Sequence, residues 1–335
     1  MHIGFLVSAV ETERPKNTTI RLAMQASNLG HTVWLIGLGD VTRTTGGSLL
    51  ARAHGAPPRT YRDSGVFLEA LRGRSAIIQT IAVDQLDVLM LRSNPADDAR
   101  NQPWAQMMGI MFGRLAAEKG VLVLNNPDGL SHAMNKVYLE SFPEEVRPRT
   151  LITRDRQAIK QFAKQEAAPI ILKPLSGYGG QNVFIVQPGE QANINQMVEA
   201  ISRDGYVIAQ EYLPEAAHGD VRLFVLDGQP LCVKGHYAAF QRIRPEDDIR
   251  NNVRAGGRIE KAEITAAMLH TVDLMRPRLE ADGMFLVGVD FAGSKVLEIN
   301  VFSPGGLGSA KQVEGVSFTK TVITRMAKRL ANHRT

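Results

Sequence analysis

Three oxygen-bearing side chains near the end of the chain have the types and spacing of a divalent-cation site. Glu298 and Asn300 stand two apart in the β-rich run 295–301, so a strand there puts both on one face. Asp290 lies in the preceding apolar run 286–291, and Ala292-Gly293-Ser294 reads as the turn of a hairpin on which the three converge. Two carboxylates and an amide form an oxygen-only donor set suited to Mg²⁺, which also takes phosphate oxygens, with Mn²⁺ as an alternative occupant. A solvated strand face is the plainer reading. Against it, Val289, Phe291, Val296, Leu297, Ile299 and Val301 predict burial, and buried carboxylates need a cation or a donor.

A second constellation lies upstream. Lys173-Pro174-Leu175-Ser176-Gly177-Tyr178-Gly179-Gly180 joins two predicted strands. A lysine at the end of a buried strand supplies a point charge, and the glycines after it let backbone N–H groups approach phosphate oxygens. A glycine-rich hairpin turn accounts for the same glycines equally well. Gln210-Glu211-Tyr212-Leu213 closes a further strand before Pro214, where backbone groups can serve a purine, with Asp220 nearby to accept ribose hydroxyls; alone it is only a strand end. Arg242, Arg244, Arg250, Arg254 and Arg258 surround Gly256-Gly257 in a segment that reads either as a closing flap or as a solvated basic loop.

The elements that must position these groups change character along the chain. A strand at 3–7, a helix at 20–29 stopped by Gly30 and a strand at 32–37 form a parallel strand–helix–strand unit. Strands at 87–91 and 121–125 flank a helix at 105–119 and repeat the theme, so residues 1–125 read as an α/β domain. It contains neither the G-x-G-x-x-G fingerprint nor G-x-x-x-x-G-K-[ST], which excludes the dehydrogenase and P-loop readings. A helix at 131–142 leads to Pro143 and Pro148 as a linker. Beyond it, helices at 157–165, 194–202, 264–280 and 318–330 alternate with strands at 169–173, 183–186, 207–213, 221–226, 231–236, 286–291 and 295–301. This mixed pattern predicts two α+β subdomains, 126–213 and 214–335.

Bulk properties narrow the class. At 335 residues, 44% apolar and 22% charged, the chain is long enough for two or three domains and too apolar for disorder. A net charge of +5 is a modest surface excess and carries no nucleic-acid footprint. Cys232 is the only cysteine and reads as a small buried hydrophobe in a strand. The opening run 1–7 lacks a basic leader and cleavage site, and no stretch approaches the roughly 18 apolar residues of a membrane span. A cytoplasmic location without a membrane partner is the expectation.

Taken in order, these pieces resemble the prokaryotic glutathione synthetases, enzymes of the ATP-grasp kind. The resemblance rests on Asp87–Arg92, Asn125–Pro127, Asn135-Lys136, Ile171–Pro174 with its glycine loop, Gln210–Pro214 and Gly219–Arg222. It continues through Ala255–Arg258, Val287–Asp290, Leu297–Asn300 and Ser303-Pro304. It implies a Rossmann-like pre-ATP-grasp domain followed by a two-subdomain α+β ATP-grasp fold, and an ATP-dependent carboxylate–amine ligase acting through an acylphosphate. It further implies that Lys136 and Lys173 hold ATP phosphates beneath a loop of Gly177, Gly179 and Gly180. Gln210, Glu211, Tyr212 and Leu213 would serve the adenine, Asp220 the ribose, and Asp290, Glu298 and Asn300 the Mg²⁺. Arg222, Arg242 and Asn252 would face phosphate or substrate, and Arg92 the carboxylate of a peptide acceptor. Ser303, Gly305 and Gly306 would sit beside the substrates. The implied substrates are γ-glutamylcysteine and glycine, and the implied assembly is a homo-oligomer. Glu246-Asp247-Asp248 and Gly305–Ala310 depart from the family pattern where substrates should sit. The competing expectations are a related ligase joining another acid and amine, and a nucleotide-binding regulator without turnover.

Overall fold

The computed structural model describes residues 1–175, 182–189, 191–203, 205–243 and 258–334, which form three principal sheets. The first has the strand order Ile77–Ala82, Leu49–Gly55, Thr32–Arg43, His2–Val7, Val88–Leu91, Leu122–Leu124. His2–Val7 runs parallel to both of its neighbours, and Val88–Leu91 runs parallel to Leu122–Leu124. The crossover helix Thr18–Asn28 buries Ile20, Leu22, Ala23 and Ala26 on the sheet, and Gly30 ends it at φ +83°, where a side chain is disfavoured. The other half of the sheet differs from expectation. The strand expected at 32–37 continues to Arg43 and turns back as Leu49–Gly55 and then Ile77–Ala82, an antiparallel extension. Its outer strand is exposed at Ile77–Thr80, so no inside–outside alternation marks it in the sequence.

The second sheet is antiparallel, in the order Thr150–Thr153, Val207–Glu211, Ile170–Pro174, Phe184–Val186. Helices Arg156–Glu166 and Gln191–Ser202 cover one face. Ile159, Ile170, Leu172, Val186, Ile194, Val198, Ile201, Val207 and Ala209 make a core separate from the rest of the protein. The third sheet runs Arg258–Glu260, Ala239–Ile243, Asp220–Leu226, Leu286–Ala292, Lys295–Asn300, with the short strand Gln229–Pro230 added beside Asp220–Leu226.

Three local expectations are corrected. The helix expected at 131–142 is a short α-helix, Pro127–His132, followed by a 3₁₀ stretch, Lys136–Ser141, because Asn135 caps a new start with its side chain on Val137 N. The strand expected at 231–236 is a hairpin of Cys232–Val233 and His236–Tyr237, turned by Lys234 and Gly235 at φ +52° and +81°. Cys232 is exposed there, not buried.

The first and third sheets share their cores, with Phe5 and Ile20 in one cluster with Phe224, Phe285 and Met326. Asn125 fastens them. Its amide nitrogen donates to the carbonyls of Val301 at 2.5 Å and Leu286 at 3.2 Å, and its oxygen accepts from the amides of Phe285 at 2.7 Å and Leu286 at 2.9 Å. All four polar atoms of this clamp lie in a buried seam, so losing the side chain strands backbone groups away from water. Asn125→Ala is therefore expected to cost about 2–4 kcal/mol, read as a lower urea midpoint. An unchanged midpoint would show that the clamp carries no weight.

Candidate functional site

The second and third sheets face one another across a cleft. Lys136, Lys173 and Gln210 line it from one side, Glu298, Asn300 and Ser303 from the other, and Asn94–Ala96 from the first sheet close one end. Lys173 is carried to the cleft by the alternation of Ile170–Pro174, whose residues Ile170 and Leu172 point into the helix-covered core. The same alternation in Val207–Glu211 sends Val207 and Ala209 to that core and Ile208 and Gln210 to the cleft.

A chain of polar side chains aims Lys173. Its ammonium donates to Gln210 Oε1 at 2.8 Å, and Gln210 Nε2 donates to Thr150 Oγ1 at 2.9 Å. Glu140 also lines the cleft, hydrogen-bonds Thr150 and accepts from Arg147 at 2.5 Å. Glu140 and Thr150 are not among the residues expected from sequence: neither belongs to a motif, and only folding brings the 3₁₀ turn against the strand. Lys136 donates to the carbonyl of Pro174 at 3.0 Å. Burial lowers the Lys136 ammonium, only partly offset by Glu298. Lys173 is pushed down to about 8 by burial and by the neighbouring Lys136, against the pull of Glu298 and Glu140. Two ammonium groups thus share one cleft, each lowered by burial and only partly offset by nearby carboxylates.

Behind the cleft wall lies a buried ion-pair network. In the third sheet Arg222 stands opposite Asp290, and Asp220 opposite Arg242. Arg222 grips Asp290 through Nε at 2.7 Å and Nη2 at 2.6 Å, and Arg242 reaches the same carboxylate at 2.7 Å. Arg242 also holds Asp220 at 2.5 and 2.7 Å. Burial alone would raise the Asp290 carboxyl, but Arg222 and Arg242 hold it below the usual carboxylate range. Asp220, desolvated and beside the Asp290 charge, is pushed up to about 6 despite Arg242. Asn300 Nδ2 donates to Asp290 at 3.2 Å, and Glu298 pairs with Asp290 in register, so the network touches the cleft through these two residues.

The remaining residues singled out from sequence fall elsewhere. Glu211 turns to the opposite face of its strand and binds Arg149 at 2.5 Å, so its carboxylate is not a cleft group. Tyr212 and Leu213 lie past the strand end and outside the cleft lining, and the Tyr212 amide donates to Pro169. Asp220 is engaged by Arg242 rather than open to a ribose. Arg92 is only 4% exposed; it donates to Thr19 at 3.1 Å and to the carbonyl of Pro304 at 3.1 Å, and burial, partly offset by Glu13, lowers it to about 10. It pins the loop after Asn300 from below. Arg222 pins the same loop through the carbonyl of Gly305 at 3.2 Å. Gly306, at φ +111° with a would-be Cβ 2.6 Å from the Phe240 ring, starts the helix Leu307–Glu314. Gly177, Gly179, Gly180, Asn252 and the basic segment around it lie outside the described residues.

Two α+β sheets closing on a cleft that carries paired lysines, behind a first domain with a mixed sheet, is the architecture of the ATP-grasp ligases. The solved D-cycloserine synthetase DcsG superposes with a TM-score of 0.64 at 15% identity, covering 98% of this chain and 100% of its own. The ATP-grasp ligase PsnB, solved with a phosphomimetic precursor variant, Mg and ADP, superposes at 0.61 and 19% identity, covering 99% and 98%. The model of the prokaryotic glutathione synthetase N-terminal domain matches residues 1–131, and that of the ATP-grasp domain residues 135–315. The glutathione synthetase of Gloeobacter violaceus is 31% identical over 331 residues, covering 96% of this chain and 95% of its own. That of Synechocystis sp. is 29% identical over 332 residues, covering 98% and 99%. The chain is an ATP-dependent, C–N bond-forming ligase of the ATP-grasp class. Within that class it belongs to the prokaryotic glutathione synthetase family.

The lowered Lys173 value has a consequence for stability. An ammonium that deprotonates at about 8 when folded and about 10.4 when unfolded costs the fold below pH 8, and the cost fades as pH rises from 8 toward 10.4. Lys173→Met is therefore expected to stabilise the protein at pH 7 by roughly 1–3 kcal/mol in urea unfolding. The gain should shrink toward zero by about pH 10. A destabilised variant, or a gain independent of pH, would contradict the electrostatic account.

Proposed function

We propose that this ligase joins γ-glutamylcysteine to glycine at the expense of ATP, giving glutathione, ADP and phosphate. The reading is supported by relatives that carry the glutathione synthetase name across at least 95% of both chains. On the molecule it rests on one observation: Lys136, Lys173, Glu298 and Asn300 converge on a single cleft, with Asp290 directly behind them. A carboxylate oxygen of the acid attacks the γ-phosphorus of ATP, and ADP departs. The amine then attacks the acylphosphate carbon, phosphate departs and the amine proton goes to solvent. Lys136 and Lys173 neutralise phosphate oxygens as charge moves from the γ-phosphoryl to ADP. Arg222 and Arg242 hold the base of the site, and the Arg92- and Arg222-pinned loop at Ser303, Gly305 and Gly306 sets where the substrates rest.

The donor set fits Mg²⁺, or Mn²⁺, in part. Glu298 and Asn300 present oxygens to the cleft and would hold the ion together with nucleotide phosphates. Asp290 accepts from Arg222 at both oxygens and from Arg242 and Asn300 at Oδ2, so it would support the ion from behind or join it only by giving up one of these donors. Bound there, the ion would supply Lewis-acid polarisation of the phosphates. A cytoplasmic location and a homo-oligomeric state belong to the same proposal; among the described residues no helix is long and apolar enough to cross a membrane.

A second reading, a ligase for a different acid and amine, is favoured by the Gly305-Gly306 loop. The run Gly305–Ala310, which differs from the pattern expected of the family, seats Gly306 against the Phe240 ring beside the cleft. ADP release separates the readings. Release only with γ-glutamylcysteine and glycine together is the expected result; release with another pair selects the second reading. Nucleotide binding without release under any pair would point to a regulator. Glu298→Gln is expected to lower kcat by about 10²–10³-fold with an unchanged urea midpoint, and undiminished turnover would remove the metal assignment. Asp290→Ala is a poorer probe. It strands Arg222 and Arg242 as buried charges and destabilises the fold by roughly 3–5 kcal/mol.

A further inference from the structure

A groove away from the cleft runs between the strand Leu122–Leu124 and the helix Thr319–His333, and it shares no lining residue with the cleft. Its helix wall is cationic. Arg325, Lys328, Arg329 and His333 fall at helical spacing on one face and all line the groove. Among the described lining residues Asp227 is the one carboxylate. It pairs with Arg329 and stands 3.6 Å from Arg325, while Lys328 is exposed and makes no ion pair among the described residues. Three permanent cations thus face a single carboxylate. Arg329 on Asp227 and Arg334 on Asp87 anchor this helix face at two points, so the charges are held in place.

The opposite wall offers backbone. Leu122–Leu124 ends its sheet, with Val88–Leu91 on its one paired side. The Leu122 amide donates to the Asp87 carbonyl at 3.2 Å, which turns Leu122 and Leu124 toward that neighbour. The N–H and C=O of Val123, between them, therefore face away from it, on the groove side. No other described backbone group bonds either one. A donor and an acceptor side by side on a residue only 6% exposed favour a ligand that answers both. Ala117, Val121 and Pro127 add apolar surface. Three strand residues are too few to seat a long strand, but they suit a small molecule.

We propose that this groove is a second binding site, separate from the cleft, for a small peptide-like carboxylate. An amide unit of the ligand donates to the Val123 carbonyl and accepts from the Val123 N–H, and its carboxylate lies in the field of Arg325, Lys328 and Arg329. Charge selects an anion, and the paired backbone groups select an amide over a bare phosphate. The inference does not depend on which substrates the ligase joins.

Calorimetric titration of the full chain, with ADP saturating, tests it with three probes: N-acetyl-alanyl-alanine as the free acid, the same compound as its C-terminal amide, and inorganic phosphate. The free acid is expected to bind saturably and to weaken as salt is added. The C-terminal amide and phosphate should each bind about 10-fold more weakly, one lacking the charge and the other the amide. Lys328→Glu and Arg325→Gln are each expected to weaken the free acid by about 10-fold, with unchanged ADP release and an unchanged urea midpoint. Those two readouts separate loss of the groove from loss of the cleft or of the fold. No binding of the free acid, an amide or a phosphate that binds as tightly, or binding indifferent to both variants would overturn the proposal.

Discussion

Asp290 is the carboxylate around which the third sheet is built. It lies 1% exposed in the middle of the sheet, and two guanidiniums, one from the adjacent strand and one from the strand beyond, converge on it. A charge buried this deeply is tolerable only when its partners are fixed, so Arg222 and Arg242 set the register of Asp220–Leu226 and Ala239–Ile243 against it. A one-residue slip in any of these strands would send a side chain to the other face and leave an ion unpaired. The same constraint aims the working residues. Glu298 is register-paired with Asp290 and Asn300 is hydrogen-bonded to it, so both are delivered to the cleft by an interaction that is itself out of reach of solvent.

Across the cleft the charge balance is reversed. Lys136 lies close enough to disfavour the proton on Lys173, and Glu298 and Glu140 only partly compensate. The polar chain Arg147–Glu140–Thr150–Gln210 holds Lys173 in place without neutralising it. Two buried ammonium groups held in one cleft are preorganised for a polyanion, because their desolvation is already met by the fold. Lys173 thus weakens the resting protein in the same measure that it favours a phosphate-laden one.

How much of this is legible in the sequence follows from how local each signal is. Glu298 and Asn300 share a strand, and their two-residue spacing alone puts them on one face. Lys173 is legible because its strand ends in a glycine loop. Glu140 is not, since its partner Thr150 lies across a linker of prolines and nothing in a 3₁₀ turn announces which way a carboxylate points. The ion pair of Asp220 and the buried contacts of Arg92 are equally hidden. Each reads as a polar residue near a strand end, suited to a ligand, until the folded chain supplies Arg242 to one and the Pro304 carbonyl to the other. The antiparallel extension of the first sheet escapes for the opposite reason: Ile77–Thr80 is exposed on both faces, and a strand without an inside has no period.

The separation of cores explains how one cleft can be both open and water-excluding. The first and third sheets share apolar clusters and the Asn125 clamp, whereas the second sheet closes its own core around Ile159, Leu172 and Val198. The two sides of the cleft are therefore built as distinct units, one carrying Glu298, Asn300 and Ser303, the other Lys173 and Gln210. An acylphosphate survives only where water is kept from it, and an amine must still enter after it forms. The lysines stand on one side and Glu298 on the other, so the two units carry opposite charge across the cleft.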